Sequence, residues 1–235
     1  MRLAKPLLAE FIGTFALIFI GAGAVTVLGS NQIAGIALAH GLVIMAFAYA
    51  YGKDSGSYIN PALVVAAVVA GEHSLLDAIP VILVQLLGGI AGAQALLLIY
   101  GPAAPHDLGA TMINLHRTTL TGGFALEAIG TFFLANTVLN AGLRGTAGAL
   151  APIAIGMTVT VCILAFGPIT GGSVNPARTL GPAVAVGNYS EVGLYVAAQL
   201  LGGAVCGLLY RLVWKHSGKA ALPSERSSKL ATADA

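Results

Sequence analysis

Two Asn-Pro-Ala triplets stand at 60–62 and 175–177, 115 residues apart. Asn is among the strongest helix N-caps, because its side-chain oxygen accepts a backbone N–H. Pro suits the first helical position, and Ala is the best helix former. Each triplet therefore starts a helix. With the Asn60 and Asn175 oxygens engaged as caps, their amide NH₂ groups are left to donate. Two such helix starts facing each other would offer both donors and two positive dipole ends to one place. A neutral guest with lone pairs would be held there and a cation repelled. The preceding segments, Ser55-Gly56-Ser57-Tyr58-Ile59 and Thr170-Gly171-Gly172-Ser173-Val174, are rich in Gly and Ser. Extended backbone at Gly56, Ser57, Tyr58, Gly171 and Ser173 would supply carbonyl acceptors beside the Asn donors.

The elements that must position these groups follow from composition. Of 235 residues, 57% are hydrophobic and 9% charged, against about 25% charged in soluble domains. Lipid is the expected solvent. Thirty-one glycines suit close helix packing in a bilayer. A span needs about 20 apolar residues, and six stretches approach this, at roughly 6–28, 33–52, 76–100, 120–140, 150–167 and 191–214. The first is too long for a signal-peptide core of roughly 7–15 residues and reads as a membrane helix. Two stretches beginning at Asn60 and Asn175 rise only about 15 Å at 1.5 Å per residue and read as re-entrant.

The chain also repeats. AEFIGTF at 9–15 returns as LEAIGTF at 126–132, INPA at 59–62 as VNPA at 174–177, and VQLLGG at 84–89 as AQLLGG at 198–203. The offsets are 117, 115 and 114 residues. Three spans per half is an odd number, so the halves have opposite membrane topology, which places functional sites at interrupted helices near the midplane. The expected fold is an all-α membrane protein: six transmembrane helices plus two re-entrant half-helices in two inverted repeats, about 6–100 and 120–214. Residues 1–5 are an expected cytoplasmic N-terminus and 216–235 a disordered cytoplasmic tail. With that orientation Arg2, Lys5, Lys53, Arg144, Arg211, Lys215, Lys219, Arg226 and Lys229 lie inside, and Arg117 and Arg178 outside. This is a positive-inside bias.

No Ser/His/Asp set, metal-spaced Cys/His cluster or phosphate loop is present, so neither an enzyme nor a cofactor or metal is expected, and nucleic acid is not an expected partner. Cys162 and Cys206 read as buried thiols. The net charge is +2. Apart from Asp77 and Glu191 at the very starts of their stretches, Glu10 and Glu127 are the acidic residues inside spans, at equivalent places in the two halves. A buried carboxylate must be hydrogen-bonded, paired or protonated. His40, mid-span and 20 residues before Asn60, is a functional candidate by its position alone.

The paired boxes, Arg178 directly after the second, and the matched glutamates resemble the major intrinsic protein family of aquaporins and aquaglyceroporins over about residues 4–215. The resemblance implies a homotetramer in which each subunit holds its own pore in a bilayer. It implies Asn60 and Asn175 at the pore centre and a four-position filter of His40, Ile163, Gly172 and Arg178, with Cys162 as the competing register for Ile163. It also implies that Glu10 and Glu127 brace the half-helix loops, with Gln85 and Gln199 in similar roles. The His, Ile, Gly, Arg combination is similar to the filter of plant vacuolar-type aquaporins. It implies passage of water, with leakage of ammonia or another small neutral solute, in a cell membrane (plasma or inner). Glycerol is the alternative. Glycerol channels of the family usually carry Asp after the filter Arg and a basic residue four positions on, where this chain has Thr179 and Ala183. The water type usually has two successive aromatics near the sixth span, where Tyr195 fits and Val196 does not. A non-conducting scaffold is a further alternative. The family usually has His two residues before the first Asn. Tyr58 stands there, expected to narrow the inner vestibule or act as a gate, or to be a tolerated variant whose hydroxyl reaches water.

Overall fold

The computed structural model describes residues 4–101 and 107–215; the expected tail at 216–235 and Arg2 lie outside them. The described residues form α1 Ala4–Leu28, α2 Ile33–Ser55, α3 Pro61–Ala70, α4 Leu75–Tyr100, α5 Leu120–Thr137, α6 Ala151–Thr170, α7 Pro176–Val186 and α8 Val192–Val213. α5 continues as a π-helical turn, Val138–Leu143, and a 3-10 turn, Gly148–Leu150, leads into α6. Six helices are long and apolar enough to cross a membrane. The half-helices α3 and α7 are too short.

Two bounds differ from expectation for one reason. α2 and α6 run three residues further than the apolar pattern, to Ser55 and Thr170, because the hydroxyls of those residues are tied to buried carboxylates. Gly56 (φ 87°) and Gly171 (φ 82°) then stop the helices. The fourth span also differs. Its α-helical part ends at Thr137 rather than near 140, where the π turn begins.

The half-helices are exchanged between repeats. α3 packs on α8 and α7 on α4. The recurring Gly-Gly of the QLLGG motif makes this possible. A methyl on Gly203 would lie 2.5 Å from the Ala62 carbonyl oxygen, and one on Gly89 would lie 2.8 Å from that of Ala177. Gly203→Ala normally gains about 1 kcal/mol in helix propensity. Here the carbonyl it strikes is backbone, and overpacking costs about 1–3 kcal/mol, so the sign should reverse. Thermal unfolding in detergent should show a lower midpoint for Gly203→Ala. Gly193→Ala on the same helix, which meets nothing within 4 Å, should not lower it. The equivalent helices α2 and α6 cross where a methyl on Gly41 or on Gly156 would strike the other's carbonyl.

The outer surface carries exposed Leu83, Leu87, Leu98, Val161 and Leu208, a lining suited to lipid tails. Cys162 and Cys206 are buried free thiols.

Candidate functional site

The centre is built from two carboxylates. Glu10 is fully buried. Its Oε1 accepts from Ser55 Oγ (2.7 Å) and Tyr58 N (2.9 Å), and its Oε2 from Ile59 N (2.7 Å) and Gln85 Nε2 (2.8 Å). Glu127, equally buried, repeats the pattern. Thr170 Oγ1 (2.7 Å) and Ser173 N (3.0 Å) donate to its Oε1, and Val174 N (2.8 Å) and Gln199 Nε2 (2.9 Å) to its Oε2. An ionised carboxylate offers about four lone-pair sites. All four are filled in each group.

These bonds hold a backbone that would not otherwise persist. Ile59 (φ 53°) and Val174 (φ 45°) are β-branched residues in left-handed conformation, which costs about 1–3 kcal/mol each. Their N–H groups are held by Glu10 and Glu127, and their carbonyls turn toward the opposite repeat. Asn175 Nδ2 donates to Ile59 O and Asn60 Nδ2 to Val174 O, both at 2.8 Å. The side-chain oxygens cap the half-helices as expected: Asn60 Oδ1 accepts from Ala62 N (2.9 Å), and Asn175 Oδ1 from Ala177 N (2.9 Å) and Arg178 N (3.4 Å). The expectation that both amide NH₂ groups are wholly free is corrected. One hydrogen of each is spent across the repeats, which leaves one N–H per Asn to offer. The cross-bonds also fix the direction of that remaining donor.

The four filter candidates are brought together in two pairs. His40 Nδ1 lies 2.9 Å from Ile36 O. A carbonyl only accepts, so Nδ1 carries the proton and Nε2 keeps a lone pair, which receives Arg178 Nε in a long 3.4 Å bond. Arg178 NH1 donates to Gly109 O (2.8 Å). The guanidinium is thus clamped between a helix and the 107–119 connection while remaining 97% buried (3% exposed). Ile163 lies against Gly172, where an added methyl would sit 3.1 Å from the Ile163 Cα. Cys162 Sγ instead faces Gly130 O on α5 (3.9 Å).

Three spaces line up through these groups. A narrow central passage is lined by His40, Tyr58, Asn60, Ser173, Asn175 and Arg178 among others, and leaves about 30 Å³ for the centres of water-sized spheres. One water needs about 10–15 Å³, so the passage has room for two or three. Arg178 also borders a vestibule of about 280 Å³, lined by Ile163, Gly171, Asp107 and Arg117, which the expected orientation makes the outer one. Gly56, Val138 and Ile155 border both the passage and a vestibule of about 540 Å³ at its opposite end, the inner one in the same expected orientation. Among the described residues none donates to the carbonyls of Gly56, Ser57, Tyr58, Gly171, Gly172 or Ser173. Tyr58 is buried at the passage wall, its ring 5.7 Å from that of His73.

Several supporting groups carried no motif. Ser55 and Thr170 were visible only as neighbours of glycine, although their shared 115-residue offset marks them. Thr179 Oγ1 meets Ser173 Oγ (2.6 Å) and receives Gln199 Nε2 (3.2 Å), while Tyr195 OH donates to Thr170 O (2.6 Å). The Gly109 carbonyl had no sequence signal.

Inverted repeats, exchanged half-helices and a narrow, mainly apolar passage with a few converging polar groups, bordered by both vestibules, define a pore-forming integral membrane protein with several spans. Residues 1–210 match the family described as Major intrinsic protein. The chain is 36% identical over 220 residues to Aquaporin Z of Rhodopseudomonas palustris, covering 88% of this chain and 92% of that one. It is 33% identical over 229 residues to Aquaporin TIP2-1 of Arabidopsis thaliana (92% and 89% covered). To Aquaporin NIP1-3 of Oryza sativa it is 34% identical over 218 residues (91% and 75%). The fold matches the X-ray structure of the aquaglyceroporin from Plasmodium falciparum with a TM-score of 0.80 at 23% identity, covering 89% of this chain and 96% of that one. The chain belongs to the major intrinsic protein family, whose members are membrane channels for water or small neutral solutes and not enzymes.

Proposed function

We propose that this chain passes water in single file, admits ammonia as a second guest, and excludes ions and protons. The observation that carries this reading is the pair of Asn side chains, each spending one N–H on the opposite repeat and leaving the other for a guest. A water oxygen accepting there turns its hydrogens away from the centre, which breaks a proton chain. Arg178, His40, Ile163 and Gly172 act as the outer filter. Arg178 donates to the guest and repels cations, His40 holds the Arg178 Nε, Ile163 supplies an apolar wall and Gly172 adds no bulk. Glu10 and Glu127 brace the two loops, aided by Gln85 and Gln199, and the carbonyls of Gly56, Ser57, Tyr58, Gly171 and Ser173 accept hydrogen bonds along the file. A homotetramer in the cell membrane with both termini cytoplasmic is part of the same reading.

Glycerol is disfavoured because Thr179, its hydroxyl engaged by Ser173 and Gln199, stands where glycerol channels of the family usually carry Asp. Proteoliposomes of the full chain, followed in parallel by stopped flow in water, ammonia and glycerol gradients, test the reading. Water and ammonia should exceed protein-free vesicles, with glycerol at background. Glycerol uptake matching that of ammonia would favour the polyol alternative, and ammonia at background would remove the second guest.

A further inference from the structure

The inverted repeat that places the outer filter also builds a counterpart on the inner side. In α2 and α6 the register is 115 residues, anchored by Ser55 and Thr170 on their carboxylates and by the reciprocal crossing of Gly41 and Gly156. The same offset relates Asn60 to Asn175. It carries His40 to Ile155, Ile163 to Ala48, Gly172 to Ser57 and Arg178 to Leu63. Ser57, Leu63 and Ile155 line the central passage, and Ala48 and Ile155 the inner vestibule. In α1 and α5 the offset is 117, as for Glu10 and Glu127, and it carries Gly21 to Val138. Gly21 packs directly against the His40 ring. Val138 borders both the passage and the inner vestibule, and with it α5 turns π-helical, a feature frequent at functional sites.

The chemistry is inverted along with the topology. Where the outer site holds a guanidinium and an imidazole, the inner one holds Leu63, Val138 and Ile155, with polar contact from the Ser57 backbone. An apolar narrowing conducts only while wetted. We infer that Leu63, Val138 and Ile155 form a second collar, on the Tyr58 side of the Asn pair, where each water gives up hydrogen bonds and which limits the rate of water passage. This rests on the channel reading above.

The test uses the full chain in proteoliposomes. Val138→Thr keeps shape and adds a hydroxyl, Ile155→Thr adds a hydroxyl on the facing helix, and Ile129→Thr on the exposed side of α5 is the control. Variants are compared where their melting midpoints in detergent match the parent. Water permeability per channel should rise about threefold in either collar variant, the scale of one modest hydrogen bond gained, with a weaker temperature dependence and no change for Ile129→Thr. Permeability equal to or below the parent in both collar variants, or an equal rise in the control, would overturn the collar. Failure of the channel reading is separate: the parent protein itself would then shrink vesicles no faster than lipid alone.

Discussion

Arg178→Val should raise the leak of cations through the passage without stopping the water flux proposed for it. The guanidinium is a fixed charge bordering both the outer vestibule and the central passage. A unit charge about 4 Å from a passing cation opposes it by about 4 kcal/mol at an effective dielectric near 20, on the order of 10²–10³-fold in rate. The half-helix dipoles and the cost of dehydration survive the substitution, so the expected rise in cation or proton leak is smaller, about tenfold. Removal of Arg178 also frees His40 Nε2 and the Gly109 carbonyl, which widens the outer constriction and should let glycerol above background. Dissipation of an imposed pH gradient in proteoliposomes, with glycerol uptake measured beside it, checks both. A leak unchanged from the parent would show that the dipoles alone keep cations out.

Glu127→Leu should cost a large share of the protein's stability, and Glu10→Leu, whose carboxylate holds an equivalent set of four donors, should cost as much. Thr170, Ser173, Val174 and Gln199 would lose their acceptor inside a membrane. Each orphaned buried donor costs about 1–3 kcal/mol, and the left-handed Val174 would lose what holds it, another 1–3 kcal/mol or so. Such losses overlap, but a total above about 4 kcal/mol is a large share of a usual stability of about 5–15 kcal/mol. Glu127→Gln, which keeps one acceptor oxygen, should fall between. Thermal unfolding in detergent measures the series. A Glu127→Leu protein melting within about 4 °C of the parent would mean that the four bonds are replaceable.

Much of this arrangement was legible because duplication wrote it twice. The Asn-Pro-Ala boxes announced the half-helices through capping chemistry that is local to each residue. Glu10 and Glu127 stood out because a carboxylate in an apolar span needs a partner. The Gln-Leu-Leu-Gly-Gly repeats revealed the symmetry but not its purpose. Gln85 and Gln199 donate to the carboxylate of their own repeat, but that Gly89 and Gly203 admit the opposite half-helix depends on an exchange between repeats that no local pattern encodes. The same exchange explains the misjudged Asn amides. Their second partner is the Ile59 or Val174 carbonyl, more than 110 residues away in sequence. The π turn at Val138 had no signal, since its residues fit an ordinary apolar helix. Gly109 reaches Arg178 through its backbone, which carries no residue type to read.

The most direct test is a single preparation of the full chain in proteoliposomes, with osmotic shrinkage and proton flux recorded from the same vesicles. Shrinkage well above protein-free vesicles, with proton flux no greater than theirs, is the expected result. Shrinkage at the lipid rate, or water and proton flux rising together, would contradict a file of neutral guests turned at Asn60 and Asn175.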